Sequence, residues 1–296
     1  MRQTRKRNVL LFTTLGIVAV LLLLTDMATG DTYIPISKIG AVLTGGECDE
    51  MTRNILLSIR FIRVVVAALI GISLSVSGLQ MQTIFRNPLA GPSVLGISSG
   101  ASLGVAFVVL LSGQLGGVAL SRLGFIGEVA LSIAAVVGAL SVMGLIVLAS
   151  RKVAGSVTLL IIGVMIGYIA NAVIGVLKFF SVEEDIKAYV IWGLGSFARV
   201  SGNQMMLFVT IMAVIIPLSF LLIKPLNLLM LGDGYARNLG LNINRARVWV
   251  ITCAGVLTAI VTAYCGPIIF LGLAVPHLCR AIFQTSDHRV LMPASM

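Results

Sequence analysis

Apolar runs long enough to cross a bilayer recur along this chain, and nothing else limits its fold so tightly. They occupy residues 8–24, 64–82, 93–111, 127–149, 157–180, 205–223, 248–263 and 267–283. Each approaches the roughly 20 residues that a membrane helix needs. The last is interrupted by Gly272 and Pro276, which predicts a short or broken helix. The chain of 296 residues is 58% hydrophobic and 11% charged, with mean hydropathy +1.07. A soluble domain carries about 25% charged residues, so most of this surface cannot face water. The 31 glycines and the absence of strand-like alternation favour closely packed helices over a barrel. The expected fold is all-α: one polytopic transmembrane helix bundle over 1–296 with about eight spans, and a polar outside loop at 31–63.

Charge distribution sets the expected orientation. With the amino terminus inside, the inside segments hold 13 basic residues and two acids, Asp233 and Asp287. The outside segments hold eight basic residues and nine acids. That is the positive-inside pattern, so the net charge of +10 reports topology and calls for no nucleic acid. Residues 1–7 contain Arg2, Arg5, Lys6 and Arg7 ahead of the first span. A cleaved signal peptide is the alternative to a retained first helix, but the run is long and no small-x-small site follows it.

The longest inside segment is 224–248, KPLNLLMLGDGYARNLGLNINRARV. Pro225 can open a short helix. Leu228, Leu229 and Leu231 would give it an apolar face, and Gly232 and Gly234 permit a sharp turn around Asp233. Tyr235, Leu239 and Leu241 would line a second short helix, with Arg237 and Asn238 opposite. The pattern predicts a helical hairpin on the membrane surface, shaped for a groove on a soluble partner; a plain amphipathic surface loop is the alternative.

Other features have competing readings. Gly100 with Gly104, Gly163 with Gly167, and Gly71 with Ser75 allow close helix approach. Asn171, mid-span, must find a partner or line a wet path. The two histidines, His277 and His288, lack a third ligand on a shared face, and His277 is read as a packed or hydrogen-bonded residue. The four cysteines lie far apart without metal-ligand spacing, and buried thiols are expected. No G-x-x-x-x-G-K-[ST] run is present, so the chain itself does not cradle ATP phosphates. No nucleophile, paired-acid or HExxH constellation suggests an enzyme.

Several blocks resemble the FecCD-type permeases, the ABC importer subunits for iron chelates such as siderophores, for haem and for vitamin B12. QMQTIFRNPLAGPSVLGISSG at 80–100 carries Asn87, Pro88, Leu89, Ala90 and Pro92 in the family's register. Residues 231–240 match its LGxxxARxLG pattern. GPIIFLGLAVPHLCR at 266–280 matches GxIxFxGLxxPHxxR through Gly266, Pro276 and His277. Arg60 and Arg63 match the arginines of its RLPR segment, with Phe61 and Ile62 replacing Leu and Pro.

The resemblance implies a homodimer in the cell inner membrane, served by two ATPase subunits and a soluble or lipid-anchored binding protein. It implies coupling to the ATPase through Leu228, Leu231, Gly232, Asp233, Tyr235, Ala236, Arg237, Leu239 and Gly240. It implies docking of the binding protein at Arg60 and Arg63, and a pathway or gate near Ser98, Ser99, Gly100, Ser156 and Asn171. ATP and Mg would be held by the partner, with no cofactor on this chain. Iron chelates are favoured on family frequency. Ten helices are usual in the family, so the chain reads as ending near the start of the ninth, as a truncated or split relative. An ion-gradient carrier and a non-transporting relative are the alternatives. Glu128, at the outer end of its span, is the only acid within one, which counts against an ion relay.

Overall fold

In the computed structural model the described residues are 2–30, 32–46, 48–112, 125–153 and 155–296, with the backbone alone at 2–5, 43, 112, 125 and 156. Every regular element among them is helical. The chain groups into two compact units, Met1–Ile70 with Phe197–Val209, and Gly71–Ser196 with Thr210–Met296.

The first unit opens with α1 (Arg2–Ala28), which buries none of its most apolar window and so offers its whole flank to lipid or another chain. α2 (Ile36–Leu43) and α3 (Glu50–Ile55) follow. Asp49 caps α3 by accepting from the Thr52 amide at 3.0 Å, and it pairs with exposed Lys38 at 3.0 Å. α3 then runs through one π-helical turn, Leu56–Arg60, into α4 (Phe61–Phe85). The expected loop over 31–63 is therefore largely helical, and its second half heads a continuous helix, Glu50–Phe85. Met27, Ala28, Ile34, Ile39, Leu56 and Val64 form this unit's core.

In the second unit α4 leads through Asn87, whose carboxamide accepts from the Leu89 amide at 2.9 Å, to a 3₁₀ turn at Pro92–Leu95. Ala90, Pro92 and Leu95 are buried there. α5 (Ile97–Ser112), α6 (Phe125–Lys152), α7 (Ser156–Phe180) and α8 (Glu183–Gly193) follow. α9 (Gly202–Ser219) continues through a 3₁₀ turn into α10 (Ile223–Met230), then come α11 (Asp233–Asn238) and α12 (Ile243–Cys265). α13 (Leu271–Phe283) and α14 (His288–Ala294) end the chain. α12 buries 67% of its apolar window, more than any other span, and is the central helix.

Six helices among the described residues are long and apolar enough to span, and two shorter apolar helices, Ile97–Leu111 and Leu271–Phe283, fall where the third and eighth spans were expected. The third is short because its first residues form the 3₁₀ turn. Small residues set the closest approaches. A methyl on Gly104 would stand 2.1 Å from the Ala134 carbonyl oxygen, and one on Gly138 would stand 2.2 Å from that of Gly100. α5 and α6 thus touch backbone to backbone, as the Gly100–Gly104 spacing predicts. Gly71, by contrast, faces open space.

Candidate functional site

Gly202–Met230 is 29 residues long, or about 44 Å of helix. That is longer than a hydrocarbon core of about 30 Å. The chain then reverses at Gly232, whose φ of +104° strongly favours glycine, and enters α11. The predicted helical hairpin is present. Its faces differ from expectation: Leu226 and Leu229 point inward, Leu228 is half-buried, and Leu231 is exposed. Counting leucines did not assign the seat because Leu226, just after Pro225, already belongs to the interior row at three-residue spacing with Leu229. In α11 Ala236 is the buried seat, while Arg237 and Gly240 are exposed.

Asp233 holds this hairpin down. Its Oδ1 accepts from Arg86 Nη2 at 2.6 Å and its Oδ2 from Arg247 Nη2 at 2.7 Å. Arg86 follows α4, and Arg247, only 9% exposed, sits in the second turn of α12. Arg86 also donates to the Leu229 carbonyl at 3.2 Å. Two charge-assisted bonds to one carboxylate fix position as well as charge. Asp233, expected among the groups offered to a partner, instead latches the hairpin to α4 and α12.

A second junction backs the first. Asn227 on α10 donates to Asp287 Oδ1 at 2.7 Å, and its carbonyl oxygen accepts from the His288 amide and from Nδ1, at 2.9 and 2.7 Å. With Nδ1 carrying the proton, Nε2 can accept from the Thr83 hydroxyl, 2.7 Å away. Burial, then the nearby Arg280 charge, push the His288 pKa down to about 4, against a smaller opposing pull from Asp287. The folded ring therefore stays neutral where an unfolded one, near 6.5, takes up a proton. Stability from this junction is full above about pH 6.5 and is lost as pH falls toward 4. It amounts to about 3 kcal/mol across that window. The thermal midpoint of purified protein should drop between pH 7 and 5, and the drop should shrink in His288→Gln; equal slopes in both proteins would overturn this assignment.

Gln82 joins α4 to α13: its amide donates to the Leu273 carbonyl at 3.1 Å and its oxygen accepts from Arg280. Pro276 is buried in α13, and Gly266 closes α12 with φ +80°. His277 is exposed and not packed as expected, because it falls on the opposite side of α13 from Gly272, Pro276 and Cys279.

The remaining expected site residues scatter. Arg60 is buried: its guanidinium donates to the carbonyls of Met27 at 2.8 Å and Ala28 at 3.0 Å, and to that of Thr32. It satisfies the acceptors that the end of α1 leaves open, so a docking role for it is corrected to a structural one. Arg63 stays half exposed, 3.9 Å from Asp26. Ser98 is buried 3.5 Å from the Thr262 hydroxyl, and Gly100 is spent on the α5–α6 contact, so neither lines an open path in this structure. Ser99 is half-buried and Asn171 exposed; the Ser156 side chain lies outside the described residues.

What faces outward on the hairpin is apolar: Leu231 is 59% exposed, Tyr235 71% and Leu239 61%. These three large apolar groups surround the exposed Arg237, on an element held from behind by Asp233. A helical membrane body carrying a short polar-latched hairpin of this kind fits the class of ABC transporter permeases.

Comparison with known proteins narrows that class. The FecCD transport family matches residues 17–296, and the chain belongs to that family. A Helicobacter pylori protein named as a probable iron chelatin transport system permease is 37% identical over 80% of this chain and 69% of its own length. The vitamin B12 import system permease BtuC of Salmonella paratyphi A is 32% identical over 99% of this chain and 83% of its own. A solved structure described as an inward-facing metal-chelate type ABC transporter superposes with TM-score 0.82 at 25% identity, covering 97% of this chain and 85% of that one.

Proposed function

We propose that this chain is the membrane-spanning subunit of an ATP-driven importer of an iron chelate. The observation that carries the reading is the hairpin, apolar outside and latched inside. The exposed Leu231, Tyr235, Arg237 and Leu239 receive an ATPase subunit, which supplies nucleotide hydrolysis that this chain does not perform. Two copies pair in the inner membrane with amino termini in the cytoplasm, and a soluble binding protein delivers cargo on the Arg63 side. An ATPase moves the membrane path only by binding its two shapes unequally. The named substrate of the Helicobacter relative favours an iron chelate over cobalamin.

Arg237→Glu and Tyr235→Glu are each expected to weaken co-purification with the ATPase subunit about tenfold or more while the chain remains monodisperse. Unchanged pull-down yield would remove the hairpin's coupling role. Uptake of a labelled ferric chelate by cells, against labelled cobalamin, tests the cargo.

A further inference from the structure

A cavity of about 530 Å³ opens between the last turn of α6 and the first turns of α12, lined by Arg151, Asn242, Asn244, Arg245, Val248 and Trp249. Its walls are graded. Arg151, Arg245 and the two asparagines line its polar part, and no carboxylate lines it. Val248 and Trp249 lie about 8 Å further along α12 from its first residue. Trp249 is 65% exposed, as suits an indole at a membrane–water boundary. Lys152, beside Arg151 in the last turn of α6, adds to the positive field.

We infer that this cavity holds the headgroup of an anionic phospholipid. Guanidinium groups pair with phosphate oxygens in a fixed fork geometry. Basic pockets between helix ends at the membrane surface suit acidic lipid headgroups. A free phosphate would satisfy the arginines but leave Val248 and Trp249 without use. A soluble protein partner would need the opening to face away from the lipid, whereas the exposed Trp249 belongs to a helix apolar enough to span. The amphiphilic lining therefore matches an amphiphilic ligand, with the phosphodiester at the arginines and the first acyl carbons along Trp249.

The test uses the purified full chain in neutral detergent. Short-chain phosphatidylglycerol, short-chain phosphatidylcholine and inorganic phosphate are titrated separately, with the thermal midpoint and native mass spectrometry as readouts. Phosphatidylglycerol should raise the midpoint at a concentration about tenfold below phosphatidylcholine and leave one retained molecule per chain. Arg151→Gln with Arg245→Gln should weaken that binding at least about tenfold; both side chains are exposed, so the variant should fold. Equal effects of the two lipids, or inorganic phosphate matching phosphatidylglycerol, would overturn the assignment without any variant. It would also fall if the double variant kept its lipid while losing co-purification with the ATPase, since the cavity would then be a protein contact.

Discussion

Gly78→Ala should cost this protein its fold. A methyl group there would sit 1.6 Å from the Gly272 carbonyl oxygen and 2.4 Å from its carbon, both backbone atoms that cannot swing aside. A methyl on Gly272 would in turn meet the Leu74 carbonyl oxygen at 2.7 Å. α4 and α13 would have to separate by more than an ångström. That movement would stretch the bonds from Gln82 to Leu273 and Arg280, which tie the same two helices. In a membrane the loss is not offset elsewhere, because close packing is itself a main source of helix association. The expected cost is about 3 kcal/mol or more, read as a fall in monodisperse yield and in the thermal midpoint. Gly71→Ala is the matched control, two turns earlier in the same helix with open space beside it. It should be neutral or stabilise by up to about 1 kcal/mol. A Gly78→Ala protein that melts like the wild type would show that the two backbones do not meet.

The spans were readable in the sequence because crossing hydrocarbon demands length and apolarity, and both are local properties. The hairpin was readable for a related reason: Pro225 and Gly232 act on the backbone where they stand, although Gly234, also expected in the turn, is helical within α11. Side-chain allegiance was not readable, since it depends on residues far away in the chain. Arg60 looked like a surface charge until the carbonyls of Met27 and Ala28 came into reach. Asp233 looked like part of a contact face, but Arg86 lies far upstream in sequence and gives no local sign of its partner. Gly100 supported two readings, and the approach of Gly138 decided for packing. His288 was noted as half of an implausible metal pair, with no sign of its role in packing. Its three hydrogen bonds run to Thr83 and Asn227, which no spacing rule connects to it.

Asp233→Ala separates holding the hairpin from offering it. The substitution removes the acceptor for both Arg86 and Arg247 while leaving Leu231, Tyr235, Arg237 and Leu239 in place. Asp233 is 41% exposed, so solvent screening reduces what the two ion pairs contribute, and about 2 kcal/mol is the expected local loss. That corresponds to roughly thirtyfold faster amide exchange over 233–241, with α5, α6 and α12 unchanged. Asp233→Asn keeps the shape but loses the charge, and should fall between. A cycle with Arg86→Ala should give a coupling energy of about 0.5 kcal/mol, the smaller share, because Arg86 is itself 49% exposed whereas Arg247 is 9% exposed. If the hairpin carries motion from an ATPase into α4 and α12, the Asp233→Ala complex should still assemble yet transport poorly. Arg237→Glu should fail one step earlier, at assembly. Unchanged exchange over 233–241 would mean that Leu226, Leu229 and Ala236 seat the hairpin without the latch. Unchanged transport alongside faster exchange would mean that force reaches the membrane path by another route.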